Sequence, residues 1–513
     1  MAKPFYITTA ISYPNGRPHI GHAYEAIAAD AVARFQRMSG RDVFFQTGTD
    51  EHGLKMVQTA RDKGVDVSAL ADEMSCYFKA MCDALNISYD RFIRTTEPDH
   101  HAASQAIWNA MAARGDLYLG RYEGWYSVRD EAFYDEKELV DGEGGVRLSP
   151  QGTPVEWTVE ESWFFRLSRY QDQLLALYRD NPDFIRPEAR RNEVIRFVEA
   201  GLADLSVSRT SFDWGVKVPG AEGHVMYVWV DALTNYLTGA GYPDAGYDAR
   251  WPADLHVIGK DIVRFHAVYW PAFLLSAGIK LPHQVFGHGF LLHRGEKMSK
   301  SLGNVVDPLD LAERFGIDGL RYFLLREVVF GQDGSYSAEA IVTRVNADLA
   351  NSFGNLAQRV LSFIAKNLGR VPAAGRGDPA DDALLDLVAQ AARRDVPAAF
   401  ADLALSQACE AWMRGVFACN QYVDAQAPWA LRKTDPERME AVLRTLLLAL
   451  RELAIAIRPV IPGSADRLLD LLGVAADRRG YADLPDRDWL DSTVLAPPSP
   501  IFPRLELPAE GEA

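Results

Sequence analysis

Two hydrophobic rhythms alternate along the first part of the chain. From Phe5 to Ile11 aromatic and β-branched residues run together and stop at Ser12-Tyr13-Pro14-Asn15-Gly16, the pattern of a buried strand leaving a sheet. Ile20, Tyr24, Ile27, Ala31, Phe35 and Met38 then recur at three- and four-residue steps until Gly40, which predicts a helix. Val43 to Gln46 predicts a second strand, followed by the turn Thr47 to Gly53 and helical sequence to about Ala113. Strand, helix, strand, helix implies an α/β parallel sheet that gathers ligands at its carboxyl edge.

Between Leu117 and Val159 the texture changes to short aromatic-rich strands broken by turns, among them Asp141-Gly142-Glu143-Gly144-Gly145. The α/β pattern then resumes, with Val225 to Val230, Leu255 to Ile258 and Gln284 to Phe286 each predicted as a strand entering a turn. From Ala340 onward the sequence is helical, and Ile341, Val345, Leu349, Phe353, Leu356, Val360 and Ile364 keep one apolar stripe. Pro372 to Asp381 is a break, Ala383 to Tyr422 and Arg438 to Leu472 are further helical tracts, and the proline-rich end predicts a tail packed across the surface. The expected organisation is an α/β domain in two halves, 1–116 and 201–290, interrupted by a small β-rich module at 117–200. A loop and linker region at 291–340, an all-α helical-bundle domain at 341–475 and a tail at 476–513 complete it.

Length agrees: 513 residues at roughly 150 per domain suggest about three units. Lys plus Arg number 54 against 70 acids, a formal charge of −16, so a globally basic nucleic-acid coat is excluded and any RNA must be held by local patches. Cys76, Cys82, Cys409 and Cys419 form no C-x-x-C pair and read as reduced thiols. No stretch approaches ~18 uninterrupted apolar residues, so the expectation is a cytoplasmic, non-exported protein without a membrane partner.

Chemistry concentrates in two places. Pro18-His19-Ile20-Gly21-His22 falls where the first strand's loop becomes a helix, and helix N-termini offer unpaired N–H groups and partial positive charge to an anion. Gly21 removes a side chain that would hold a nucleotide off the backbone. Two other readings stand beside this one: histidines at a helix start can be simple caps, or ligands of a metal hydrolase. The second place is Lys297-Met298-Ser299-Lys300-Ser301, a pair of mobile cations suited to gripping and releasing a polyphosphate, or a solvated charged loop. No Walker-type glycine loop exists to do that work instead.

Together, in this order on an α/β chain, the two motifs resemble the signature pair of the class I aminoacyl-tRNA synthetases. Tyr13-Pro14-Asn15-Gly16, Gly48-Thr49-Asp50-Glu51-His52-Gly53, Tyr227-Val228-Trp229-Val230-Asp231-Ala232, Gly259-Lys260-Asp261-Ile262 and Asn355-Leu356-Ala357-Gln358-Arg359 resemble the methionyl-tRNA synthetase family from about Phe5 to Trp429 and beyond. The resemblance implies a Rossmann-like catalytic domain and an anticodon-binding helical domain. It also implies a ligase that joins L-methionine to initiator and elongator tRNA(Met) at the expense of ATP with Mg²⁺.

A carboxylate is already a nucleophile at pH 7, so adenylate formation needs in-line positioning and charge neutralisation rather than a strong base. The resemblance assigns that work to His19, His22, Lys297 and Lys300, with Asn15, Gly21, Arg209, Gly259, Asp261 and Ser299 completing the ATP site. It implies that Asp50 and the backbone near Ala10 and Ile11 hold the ammonium of methionine. Tyr13, Trp229, Ala232, Leu233, Tyr236, Ile262, Phe265 and His266 are implied by the same resemblance to enclose its side chain, and a polarizable sulfur gains from aromatic edges and from a weak Tyr or His donor. Asn355, Arg359 and Trp429 are implied to read the CAU anticodon by edge hydrogen bonds and stacking. One departure stands out: Trp125 to Trp157 holds neither cysteine nor histidine, so the zinc of many relatives is not expected here. The chain ends without an appended oligonucleotide-binding domain, which implies a monomer. The rivals are a tRNA-independent adenylyltransferase, opposed by the long helical region, and a catalytically silent RNA-binding relative, opposed by the intact His19, His22, Lys297 and Lys300.

Overall fold

A computed structural model describes residues 3–129, 132–142, 145–293, 296–297 and 306–507. Six strands form the central sheet, every neighbouring pair parallel. Strand β1 (Pro4–Thr9) lies at its middle, flanked by β2 (Asp42–Thr49) and then β3 (Arg91–Arg94) on one side. On the other side follow Leu255–Gly259, Val285–His288 and the short edge strand Ile185–Arg186. Because β1 and Leu255–Gly259 are parallel neighbours although they lie 248 residues apart at the Thr8–His256 contact, the loops leaving them face each other at one sheet edge, which is where a ligand crevice belongs.

Helix α1 (Ile20–Met38) has the predicted bounds and is buried along most of its length. It is followed by α2 (Leu54–Lys63), α3 (Val67–Ala84) and α4 (Pro98–Ala113). Strand β3 interrupts what the sequence presents as continuous helix; a four-residue Arg-Phe-Ile-Arg run is too short for its period to be legible. The 117–165 stretch is antiparallel, with Leu117–Ser127 paired along its length to Glu156–Phe165.

One expectation is overturned outright. Val225 to Val230 is strand only at Val225–Met226, and Val228–Ala240 is a helix, referred to below as the pocket helix. Its apolar start, Val228-Trp229-Val230, continues the run from Val225 and imitates a strand, while its polar stripe of Asp231, Thr234, Asn235 and Thr238 is buried and makes internal hydrogen bonds rather than facing solvent.

The stripe from Ile341 to Ile364 is buried throughout. It runs through Ala338–Arg344, a π-type stretch Val345–Gly354 and the helix Asn355–Asn367. The helices Pro379–Gln390, Leu405–Gln426 and Pro436–Ile457 pack on it around Trp412, whose indole N–H donates to the Leu453 carbonyl at 3.0 Å. The terminal segment crosses this domain, anchored by buried Leu490 and Ile501 and by a reciprocal amide pair of Asn346 with the Leu505 backbone.

A buried ionic strut ties α1 to the helical region. Arg321, on the helix Ile317–Glu327, is fully buried, donates to Asp30 at 2.6 Å and also to the carbonyls of Val460, Pro459 and Leu85. Burial pushes the Asp30 carboxyl up, but Arg321, Arg34 and Ser88 together hold it below the usual carboxylate range. Among the described residues no helix is long and apolar enough to cross a membrane, and all four cysteines are free.

Candidate active site

The crevice at the carboxyl edge of the sheet is a cavity of about 500 Å³. Ala10, Ile11, Tyr13, His19, Gly21, His22, Asp50, Trp229, Gly259, Asp261, Ile262 and Phe265 line it, more than half of the residues singled out from the sequence for ATP and methionine and drawn from five separate segments.

At one end is the start of α1. His19 is its N-cap: Nδ1 of His19 accepts from the Gly21 N–H at 3.1 Å, and Nδ1 of His22 accepts from the His19 N–H at 3.1 Å. This is a capping box built from two imidazoles, their rings 3.8 Å apart. A ring whose Nδ1 accepts a hydrogen bond carries its proton on Nε2, so capping presents both histidines as Nε2–H donors. The cap leaves both Nε2–H edges available, so capping does not exclude an anion site at the same helix start. Gly21 serves it sterically: a Cβ there would lie 2.9 Å from Cε1 of His19, displacing the ring that caps the helix.

Next to this end, Gly259 ends its strand and Asp261 follows on the next turn. A Cβ on Gly259 would meet the Asp261 carboxylate at 2.6 Å, so glycine is what lets that carboxylate fold back over the strand end. Glu25 and His288 also line the cavity, joined at 2.8 Å. Burial pushes Glu25 up, and Glu25 in turn pushes the His288 imidazole up against the opposing effect of burial. Sequence reading missed this pair, although Glu25 lies one helical turn from His22 and so shares its face.

The other end is aromatic. Trp229 stacks on Phe265, centroids 3.8 Å apart and planes 4° from parallel. Phe265 and His266 sit on a π-type turn, Phe265–Tyr269, whose extra residue carries the two rings round toward the pocket helix. Tyr13 donates no side wall alone: its hydroxyl accepts from the Met56 N–H at 3.1 Å, which pins the ring at the start of α2.

Several expected residues stand behind the cavity surface. Tyr236 and His266 are buried and bonded to each other at 2.7 Å, while Nδ1 of His266 donates to the Ile262 carbonyl at 2.9 Å. Burial pulls the His266 imidazole down to about 4, so at neutral pH the ring is uncharged and its one N–H is spent on Ile262. Tyr236 likewise gives its hydroxyl proton to His266, so neither group, in this arrangement, keeps the donor proton that the sequence suggested for sulfur. Ala232 and Leu233 lie on the buried pocket helix and Asn15 on the loop before α1, outside the cavity lining. Arg209 is buried and is not among the lining residues: its guanidinium donates to the Ser208 carbonyl at 2.6 Å and the Ser206 hydroxyl at 3.0 Å and lies 4.4 Å from the Tyr227 ring centroid. Lys297 ends a two-residue strand, and its side chain, with Ser299 and Lys300, lies outside the described residues.

In the helical domain Asn355 and Arg359 lie one turn apart at the start of the helix Asn355–Asn367. The Arg359 guanidinium is 5.3 Å from the Trp429 ring centroid and pairs with Asp424 at 2.8 Å. Trp429 is 47% exposed, which rules out a core role for the ring. Among the described residues no cluster of three or more His, Cys, Asp or Glu side chains could hold a metal ion.

A parallel sheet with a histidine-capped helix at its ligand edge, followed by a helical domain, defines a class I aminoacyl-tRNA synthetase. Residues 5–361 match the model of the class I tRNA synthetases (M), and residues 371–491 that of the anticodon binding domain of methionyl tRNA ligase. The chain belongs to the methionine–tRNA ligase family. It is 60% identical to the methionine–tRNA ligase of Brucella suis and 61% identical to that of Mesorhizobium japonicum, in each case over 98% of both chains. Among solved structures it is similar to Mycobacterium tuberculosis methionyl-tRNA synthetase in complex with methionyl-adenylate, with a TM-score of 0.95 and 58% identity over 98% of this chain and 100% of that one. The TM-score against the apo form of that protein is 0.89 over 99% of both chains.

Proposed function

We propose that the chain activates L-methionine with ATP, releasing pyrophosphate, and transfers the methionyl group to the 3′-terminal adenosine of initiator and elongator tRNA(Met). The observation that carries this is the union, in one cleft, of a two-imidazole helix N-terminus with a buried carboxylate and a stacked aromatic wall. In this reading Asp50 receives the α-ammonium group near the backbone of Ala10 and Ile11, and Trp229, Phe265 and Ile262 cover the thioether. Tyr236 and His266, with Ala232 and Leu233, act from behind by fixing those walls. Asp261 takes a ribose hydroxyl, while the Nε2–H edges of His19 and His22 meet the phosphate oxygens. Lys297 and Lys300, aided by Ser299, close on the leaving pyrophosphate; Mg²⁺ arrives with the ATP. Arg209, absent from the cavity lining, contributes by bracing the strand pair that leads into the pocket helix.

For the tRNA, Trp429 offers a stacking plane, and Asn355 and Arg359 read base edges of the anticodon. The working form is a cytoplasmic monomer. Methionine-dependent exchange of pyrophosphate into ATP tests the activation step. Exchange stimulated by leucine or valine but not by methionine would overturn the substrate assignment, and size exclusion at micromolar concentration checks the monomer.

A further inference from the structure

The carboxylate proposed for the ammonium, Asp50, is followed directly by two residues that point elsewhere and are tied down. Glu51 is fully buried, and its carboxylate accepts from Arg94 at 2.7 and 2.9 Å and from the Thr49 and Thr96 hydroxyls, each at 2.7 Å. The Glu51 carbonyl accepts the Trp214 indole N–H at 2.6 Å. His52, 3% exposed, donates from Nδ1 to Asp231 Oδ2 at 2.6 Å.

Asp231 is fully buried and has a second partner: its Oδ1 accepts from Nε2 of His100, on α4, at 2.7 Å. His100 also bonds through Nδ1 to the Thr238 hydroxyl at 3.0 Å. Asp231 and Thr238 are seven residues apart on the pocket helix, two turns along one face, so His100 grips that face at two points and fixes the helix's rotation. Trp229 is two residues before Asp231, about 200° away around the axis, and so faces the cleft while Asp231 faces the loop and α4.

We infer that Asp231, through His52 and His100, is a positioning residue that sets the distance between the two ends of the methionine site. One arm runs from Asp231 through His52 to Asp50, the ammonium end. The other runs along the pocket helix to Trp229 and its stack with Phe265, the thioether end. Stability alone does not require such a node, since a buried ionic cluster replaced by apolar groups of equal volume is often neutral or stabilising. What the cluster supplies is registry between a loop and a helix from distant parts of the chain, 179 residues apart at the His52 bond. The inference rests on the reading of Asp50 given above.

The test is a double-mutant cycle in the full-length protein, read by pyrophosphate exchange with methionine and ATP varied separately. Asp50→Asn alone tests the underlying reading: it must raise KM for methionine with KM for ATP little changed. Asp231→Asn is then expected to raise KM for methionine about ten- to a hundredfold, with KM for ATP within about twofold of wild type. Combined with Asp50→Asn, it should add much less than its single effect, because it acts through that carboxylate. His52→Leu should behave like Asp231→Asn, and His52→Asn, whose amide nitrogen can take the place of Nδ1, should restore most of the affinity. Should Asp231→Asn not fold, the His52 pair carries the same comparison. Multiplying effects in the cycle, equal losses for methionine and ATP, or no rescue by His52→Asn would each overturn the inference. A normal methionine KM in Asp50→Asn would instead remove the reading beneath it.

Discussion

Replacing Trp429 by alanine separates the two half-reactions. The ring is 47% exposed, and one face is occupied by the Arg359 guanidinium at 5.3 Å, leaving the other for a base. Base stacking on an exposed aromatic is worth about 1–3 kcal/mol, which converts to a loss of about 5- to 150-fold in kcat/KM for tRNA. The upper half of that range is expected, because the ring also orders Arg359, whose fork is then left to Asp424 alone. An exposed side chain adds little to the core, so the unfolding midpoint should move by no more than about 0.5 kcal/mol allows. Steady-state charging with tRNA varied, run beside pyrophosphate exchange without tRNA, reads both quantities. Exchange should stay at the wild-type level, and Trp429→Phe should recover most of the charging. A parallel fall in charging and exchange would mean that the tryptophan is structural after all, and would remove the argument from exposure.

Lys300→Ala should slow adenylate formation by about two to three orders of magnitude with methionine KM little changed, as for one lost transition-state donor; single-turnover kinetics check it, and an equal rise in methionine KM would contradict it. Arg321→Met leaves the Asp30 carboxylate to Arg34 and Ser88 and takes their donor from three carbonyls in the interior, and should cost up to about 3–5 kcal/mol, visible in calorimetry as a lowered first transition. The lowered acidity constant of Asp30 gives that contribution a sign: it is fully present above the unfolded value near 4 and is lost as pH falls through the folded value, so Asp30→Asn should flatten the acid limb of stability. His266, held down to about 4, stays neutral in the folded protein while an unfolded histidine protonates near 6.5. Its burial therefore weakens the fold as pH drops below about 6.5, a slope that His266→Gln should remove, and methionine KM should show no His266 limb between pH 6 and 8.

What could be read from the chain, and what could not, divides along physical lines. Helix α1 was legible to the residue because an apolar stripe, a capping histidine and a stop at Ser39-Gly40 agree with one another. The His19 motif could be singled out because it marks the start of a helix on the loop after the first strand, whereas Asp50 came only from the family resemblance, although it lies immediately after Asp42–Thr49 at the sheet edge that presents side chains to ligand. The pocket helix was not legible, since its first turn, Val228-Trp229-Val230, extends the apolar run from Val225 and reads as strand before the polar stripe begins at Asp231. Neither was the split between Trp229, Phe265 and Ile262 on the surface and Tyr236 and His266 behind it, because a π-type turn changes which side faces the cavity without changing the composition. Arg209 illustrates the same limit: a conspicuous cation in sequence, it is a buried hydrogen-bond donor in the fold.

The histidine motif shows why spacing alone underdetermines a role. A separation of three residues reads as two side chains sharing a helix face, but the geometry is N-cap and N3, the spacing of a capping box. Each imidazole thus has two duties carried by its two nitrogens: Nδ1 satisfies a backbone N–H that the helix start would leave orphaned, and that bond leaves Nε2 as the protonated edge. Replacing His19 with alanine removes a cap worth about 0.5–2 kcal/mol together with the proposed phosphate donor, so the resulting loss of activity would overstate the donor. Asparagine at position 19 can still accept the Gly21 N–H and lacks only the Nε2 edge. The difference between His19→Ala and His19→Asn is therefore the measure of the cap, and what remains in His19→Asn is the measure of the chemistry.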